Sequence, residues 1–433
     1  MQLCRHLATG AGNPSNRAGI IIVTNPYQDP CSQPGLIPLE QARQHLLDQA
    51  HCRVEPERCA LLDANNRVLA ADHVARIDVP PSDNSAMDGY AVRYADTAAD
   101  VPTEMEVSQR IPAGTAPAAL KANTAARIFT GAPIPPGADA VVMQEQVSVA
   151  GSRVVLPAGI KPGQNIRPRG QDIANGETLL AAGARLDPLS IGVLASVGAE
   201  SVSVYRPLRV GVMSTGDELA EPGTPLQPGQ IYNSNRYLLL TLIRQLGMEP
   251  VDLGTTPDEP DATRAALQHA AETADVILTT GGVSVGEEDH VKDAIEALGH
   301  LDMWRLNLKP GKPFAAGHVQ SIPFYGLPGN PGAVIVTFAL LVRPCLLKVQ
   351  GATDFGVKTR KVRAGFNRSR TNTREEYLRV SPGTNDDVLL SENQSSGVLS
   401  VFMRTEGLLR VPANTAIRQG DLLEFIDFKD VLY

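Results

Sequence analysis

At 433 residues the chain is too long for one comfortable core, and roughly 100 to 200 residues per domain implies two to four domains. The composition, 43% hydrophobic, 20% charged and 4% aromatic, is that of an ordinary soluble protein and excludes a disordered chain; no apolar run approaches the roughly 20 residues that span a bilayer. A formal net charge of -8 with no Lys/Arg-rich block excludes a generic nucleic-acid surface, so any anionic ligand must meet locally placed cations.

The first 35 residues, with "GNPSN" and "NPYQDPCSQPG", are rich in turn formers, and Ile20 to Val23 is too short for a secretory apolar region, so a loose extension is expected. Cys4, Cys31, Cys52, Cys59 and Cys345 form no CxxC and no zinc spacing, and their odd number fits a reducing compartment; the expected location is the cytoplasm. "IPLEQARQHLLDQA" reads as a helix, with Pro38 in its first turn and Ala42, Leu46 and Leu47 on one face. From Val79 to about Gly183, short apolar runs such as "ARIF" and "DAVVMQEQVSV" alternate with "PIPPG", "PAGIKPG" and "ANG", the spacing of strands and tight turns.

From Pro207 strands and helices alternate. "RVGVM", "EPVDLG", "DVILTT" and "IPFYGL" read as strands; "NSNRYLLLTLIRQLG", with an Asn cap and a Gly stop, "DEPDATRAALQHAAETA", "DHVKDAIEALG" and "NPGAVIVTFALLVRPCLLKV" read as helices. Such alternation implies βαβ units and a mostly parallel sheet. After about Gly351 short strands return: "KVRAGF", "EEYLRV", "VLSVF", "GLLRV" and "DLLEFI". The expected fold is an elongated α/β multidomain chain: an extension (1–35), a linking domain (36–78 with 171–206), an inserted β-rich domain (79–170), a central α/β domain (207–350) and a small C-terminal β domain (351–433).

Ligands of an open parallel α/β sheet bind beyond the carboxyl ends of its strands. Those ends supply Ser214 and Thr215 in "STGDEL", Asp258 in "TTPDEP", Gly281, Gly282 and Ser284 in "TTGGVSVGEED", and Pro328 and Pro331 in "GLPGNPG". Gly281, Gly282 and Gly286 allow close approach of a ligand and turn N–H groups toward an oxyanion. Glu287, Glu288 and Asp289 follow directly, and the plain reading is that they start a helix, each contributing about 0.3 to 1 kcal/mol. Asp289 is set apart because Asp217, Glu218 and Asp258 fall at the same predicted edge; converging carboxylates require a hard cation, and Mg²⁺ takes one or two carboxylates plus phosphate oxygens.

Arg305, Lys309 and Lys312 in "RLNLKPGKPF" bracket a strand and a Pro-Gly turn, as an oxyanion site or a solvated loop. "IRPRGQDI" places Arg167, Arg169 and Asp172 in one turn, as a site or an ordinary salt bridge. "VPPSDNSAMDGYAV" reads as a loop offering Asp83 and Asp88 as ligands or bases, or a simple turn at Asp88-Gly89. No Ser-His-Asp or Cys-His arrangement can be assembled, and none of the eight histidines has zinc-site spacing.

Taken in order, "PPSDNSAMDGYAV", "RIFTGAPIPPGADAVVMQE", "IRPRGQDI", "VGVMSTGDEL", "IYNSNRYLL", "TTGGVSVGEEDHVKD", "LNLKPGKPFAAG" and "GLPGNPGAV" resemble the molybdopterin molybdenumtransferase family, bacterial relatives of the gephyrin C-terminal domain, from about residue 36 to 350 and weakly beyond. The resemblance implies a transferase of molybdenum cofactor biosynthesis that takes adenylylated molybdopterin and molybdate, uses Mg²⁺ and releases AMP. It implies an elongated homodimer in which the β domain of one subunit faces the α/β domain of the other, with molybdopterin adenylyltransferase and acceptor molybdoenzymes as further partners. Position by position it makes Asp88, Thr130, Asp172, Glu218 and Asp289 the residues of turnover, Glu218 and Asp289 the Mg²⁺ ligands, and Asp258, Arg305, Lys309 and Lys312 substrate contacts. Arg305 stands where some relatives carry Lys, and Gln171 where an acid is common. The related adenylyltransferases share the glycine-rich α/β domain and gephyrin also serves as a scaffold; the flanking β segments, "STGDEL" and the retained acids and lysines favour the insertion enzyme.

Overall fold

The computed structural model describes residues 36–282 and 290–432, so the 1–35 extension, Ser284, Gly286, Glu287, Glu288 and Asp289 lie outside the described residues. The alternation after Pro207 builds a seven-stranded sheet in the order Leu36–Ile37, Gly299–Leu306, Pro313–Val319, Ile322–Leu327, Val276–Thr280, Arg209–Thr215, Glu249–Thr256. Every strand runs one way except Pro313–Val319, which pairs antiparallel with both its neighbours. The hairpin of Gly299–Leu306 and Pro313–Val319 lacks a Gly-Asn or Asp-Gly turn signal, so the sequence pattern shows only a strand near the KPGK turn.

Side chains alternate between the two faces of the sheet, as a period of two demands. Val210, Val212, Leu278, Phe314 and Tyr325 join one core with helices Leu39–Gln49, Ser234–Gln245 and Pro331–Val349. Met213, Ile277, Ala315 and Phe324 join another with helices Pro260–Thr273 and His290–Leu298. Leu239 and Ile243 are fully buried, each contributing roughly 1.5 to 3 kcal/mol of hydrophobic stabilisation. The helix Leu39–Gln49, placed by sequence in the linking segment, thus seats its apolar face in the α/β core. Pro331–Val349 is 19 residues long and apolar enough to cross a membrane, but it is mostly buried inside the protein, which makes it a core helix. A π turn over Phe338–Val342 precedes Pro344, whose missing N–H would otherwise break the helical ladder.

The second unit is a six-stranded sheet, Ala140–Met143, Gly89–Val92, Thr124–Ile128, Thr103–Ile111, Arg153–Leu156, Ser148–Ala150, with a core on each face. It joins the rest through ribbons that pair Pro56–Ala60 with Ser201–Tyr205 and His73–Val74 with Thr178–Leu180. The C-terminal strands Glu375–Pro382, Asp387–Leu390, Arg360–Ala364, Leu422–Asp427 and Gly407–Val411 close back onto Glu375–Pro382 as a barrel. The expected strand "VLSVF" is instead the 3-10 turn Ser400–Arg404, and the barrel takes Asp387–Leu390 in its place. Leu399 and Phe402, three residues apart, both pack on the α/β core, a spacing that suits a helical turn. Leu308–Lys309 pairs parallel with Glu375–Glu376, which docks the barrel beside the KPGK turn.

Candidate active site

The strand Arg209–Thr215 leads through a helix to Glu249–Thr256 on one side of the sheet, whereas its other neighbour, Val276–Thr280, leads through a helix to Gly299–Leu306 on the opposite side, so the carboxyl ends of Arg209–Thr215 and Val276–Thr280 form the switch point where such sheets bind ligands. Ser214 and Thr215 end it, buried at 0% and 5% exposure. Ser214 Oγ donates to Asn233 Oδ1 at 3.4 Å, and Asn233 caps the helix Ser234–Gln245 by accepting from Arg236 N at 3.2 Å. Asn233 Nδ2 donates to Thr255 Oγ1 at 3.0 Å, and Thr255 Oγ1 to Glu221 Oε1 at 3.2 Å. The buried Arg236 guanidinium pairs with Glu221 and, at 2.9 Å, with Asp252. The Asn cap expected from "NSNRYLL" is therefore also the anchor of Ser214.

Gly281 and Gly282 take φ of 88° and 64°, and a Cβ on Gly281 would lie 2.8 Å from the Thr215 carbonyl. The turn out of Val276–Thr280 is therefore pressed against the end of its neighbour, a place only glycine fits. Asn235 Nδ2 ties this turn to the next one, donating to Thr280 Oγ1 at 3.0 Å and to the Gly329 carbonyl at 2.7 Å, while Thr280 Oγ1 donates to the Pro328 carbonyl at 3.3 Å. Pro331 opens the following helix. Gly216 lets Glu218 fold back, since a Cβ on Gly216 would meet the Glu218 carboxylate at 2.3 Å. That carboxylate is exposed and makes no hydrogen bond or ion pair among the described residues. Asp217 is engaged, accepting from Asp258 N at 3.3 Å.

The three predicted cations part company. Arg305 and Lys312 are exposed at the mouth of the hairpin, where Arg305 pairs with Pro313. Lys309 Nζ lies 3.0 Å from Glu376 on the barrel, and Arg368 reaches the same carboxylate with two bonds of 2.7 and 3.1 Å. Burial would raise the Glu376 carboxyl, but the hydrogen bonds from Arg368 and Lys309 outweigh it and hold it below the ordinary glutamate value. Arg374 donates to the Leu308 carbonyl at 2.8 Å, so the barrel adds a cation beside the turn that motif reading did not include.

On the β unit, Asp88 Oδ1 accepts from Thr130 N and from Thr130 Oγ1, both at 2.8 Å. These two bonds, foremost the backbone one, hold the Asp88 carboxyl below the ordinary aspartate value. Asp88-Gly89 is not a simple turn: Gly89 begins a buried strand, and a Cβ there would lie 2.0 Å from the Val142 carbonyl. Asp83 accepts from Arg169 N at 2.8 Å. Arg169 pairs with Asp78, not with Asp172, whose carboxylate is exposed and makes no ion pair among the described residues. The candidates thus fall into two groups on separate units: Asp88 and Thr130 on one, and the switch-point edge with the KPGK turn on the other.

Three family descriptions match successive stretches: the MoeA N-terminal region (domain I and II) over 37–198, the probable molybdopterin binding domain over 211–348, and the MoeA C-terminal region (domain IV) over 361–428. The molybdopterin molybdenumtransferase of Haemophilus influenzae is 44% identical over 318 residues, 73% of this chain and 78% of that protein. The chain belongs to the molybdopterin molybdenumtransferase family. The Nostoc relative of the same name is 38% identical over 390 residues, 87% of this chain and 89% of its own. The crystal structure of the Pyrococcus horikoshii molybdopterin biosynthesis MoeA protein superposes with a TM-score of 0.79 at 30% identity, over 90% of this chain and all of that one. The resemblance read from the eight motifs holds, and it extends through the C-terminal barrel that motif reading reached only weakly.

Proposed function

We propose that this protein completes molybdenum cofactor biosynthesis by inserting molybdate into adenylylated molybdopterin, with Mg²⁺ bound and AMP released. The observation that carries the reading is the switch-point edge of a family member: an anchored Ser214 and Thr215, the Gly281-Gly282 turn and the Glu218 carboxylate, unpaired among the described residues, on one sheet end. N–H groups of a glycine turn suit phosphate oxygens, and Arg305 and Lys312 offer the cations that a tetrahedral dianion needs. Lys309, paired with Glu376, contributes a fixed positive charge behind the turn.

The donor chemistry at this edge fits Mg²⁺, because Glu218 is an oxygen ligand not spent on any partner among the described residues. Among the described residues no three His, Cys, Asp or Glu side chains gather as a metal site, so Glu218 would hold the ion with Asp289, substrate phosphate oxygens or water. The ion supplies Lewis-acid polarisation of the pyrophosphate. The protein's own groups orient the adenylyl pyrophosphate on the glycine turn and offset charge on the departing phosphate. Asp88, ionised and fixed by Thr130, supplies a carboxylate at the substrate.

A homodimer follows from the same reading. Among the described residues, no hydrogen bond or ion pair ties residues 81–168 to 207–350 of the same chain, so a partner subunit's edge is the natural counterpart of Asp88. The setting is cytoplasmic, with a molybdopterin adenylyltransferase supplying the substrate and molybdoenzymes accepting the product. Incubation with adenylylated molybdopterin, Mg²⁺ and molybdate should release AMP and form molybdenum cofactor; absence of AMP under every condition would overturn the reading.

A further inference from the structure

Asp88 directly precedes the strand Gly89–Val92 and Thr130 lies two residues beyond the strand Thr124–Ile128, and the two strands pair antiparallel with Gly89 opposite Ile128. One side chain reaches both. Arg127 Nη1 donates to the Gly89 carbonyl at 2.9 Å, and Nη2 to Gln144 Oε1 at 2.6 Å. Its guanidinium carbon lies 4.5 Å from the Phe129 ring centroid and 5.3 Å from that of Tyr90. Gly89 and Tyr90 directly follow Asp88, and Phe129 directly precedes Thr130. Gln144 closes the circle, its backbone N–H donating to the Asp88 carbonyl at 3.0 Å. Arg110 lies 4.5 Å from the same Phe129 ring, so that ring is held by two cations.

We propose that Arg127 is a positioning residue for the reaction, riveting the Asp88 carboxylate to the Thr130 hydroxyl through the backbone and ring contacts on either side of the pair. It makes no hydrogen bond to either group; beyond a minor charge attraction to Asp88, it acts through their neighbours. The proposal rests on the reading above that Asp88 takes part in turnover. A planar fork that donates in two directions while stacking on rings is what arginine provides and lysine does not. Displacement of a reacting group by about 1 Å can cost on the order of a hundredfold in rate, so the rivet matters more for turnover than for affinity.

The test compares Arg127→Met and Arg127→Lys in the full chain, each checked for folding by circular dichroism, by AMP release from adenylylated molybdopterin with molybdate and Mg²⁺. The expected kcat falls by about tenfold to a hundredfold with little change in KM, and lysine, though charged, rescues little. Arg127→Met is also built on Thr130→Val. If Arg127 acts through the Asp88–Thr130 pair, its loss costs much less in that background, because the pair is already loosened. An equal factor in both backgrounds marks a merely structural residue and overturns the proposal, as does unchanged kcat in both single variants. Asp88→Asn is assayed alongside: wild-type turnover there overturns the reading of Asp88 itself, a failure distinct from that of Arg127. Should Arg127→Met fail to fold, Arg127→Lys, which keeps stem and charge, carries the same comparison.

Discussion

Asp88 takes both of its hydrogen bonds from one residue, and this links its protonation to Thr130. Bonds to the charged form depress a carboxyl, so Asp88 stays ionised to lower pH than an ordinary aspartate. Thr130→Val removes the hydroxyl bond and leaves the backbone one. The Asp88 carboxyl then rises toward its ordinary value, and the acid limb of kcat/KM moves to higher pH, whereas Thr130→Ser leaves it in place. An acid limb unmoved in Thr130→Val would show that Asp88 does not set it. Glu376 is a stability case of the same sign. Its depressed carboxyl contributes stability fully above the unfolded value and loses it as pH falls through the folded one. Glu376→Gln, which leaves Lys309 and the largely buried Arg368 without a counter-charge, should cost about 3 kcal/mol at neutral pH. The gap between variant and parent melting temperatures should shrink on acidification; a constant gap from pH 7 to 4 would mean the charge is not what Glu376 contributes.

Among elements, the turns at the sheet edge act as one piece because Asn235 bonds to two of them. Asn235→Ala removes both bonds at a cost of roughly 1 to 3 kcal/mol. Faster hydrogen exchange should follow at the amides of Thr280 to Gly282 and of Gly329, with a raised KM for adenylylated molybdopterin; unchanged exchange at both turns would show that they are held independently. This linkage was not legible in the sequence, where Asn235 sat unremarked behind the cap Asn233. What was legible follows from local periodicity: the αβ alternation, the cap at Asn233 and the edge residues Ser214, Thr215, Gly281 and Gly282 all announce themselves within a few residues. Pairings set by distant segments do not. Lys309 reads as a free cation until the barrel brings Glu376 to it, and Arg169 reads as a partner for Asp172 until Asp78 is seen nearer. The hairpin Gly299–Leu306 and Pro313–Val319 escaped notice because its turn is the KPGK motif itself, with Gly311 at φ 113° packed against Thr337. In "VLSVF" a short apolar run is ambiguous between strand and helical turn, and packing on the α/β core decided it.

For the whole molecule, the separation of Asp88 from the switch-point edge sets a sharper requirement than any single contact. A family member that needs both groups must bring them together either by bending one chain or by pairing two. The two arrangements differ in a mixing experiment. Asp88→Asn disables the β unit and Glu218→Gln the edge, so each variant alone should be inactive. If the site is shared across a dimer, mixed dimers hold one site with both defects and one with neither. Random reassortment of equal amounts makes half the dimers mixed, and each has one working site of two, so about a quarter of the parental activity should return. If each chain builds its site alone, every site in the mixture keeps one defect and nothing returns. Activity restored after co-refolding, and not on simple mixing of preformed dimers, would separate a shared site from exchange of product between two half-active enzymes. The same experiment run with Arg127→Met in place of Asp88→Asn should recover activity in the same proportion, because Arg127 serves the subunit that carries Asp88 and not the one that carries Glu218.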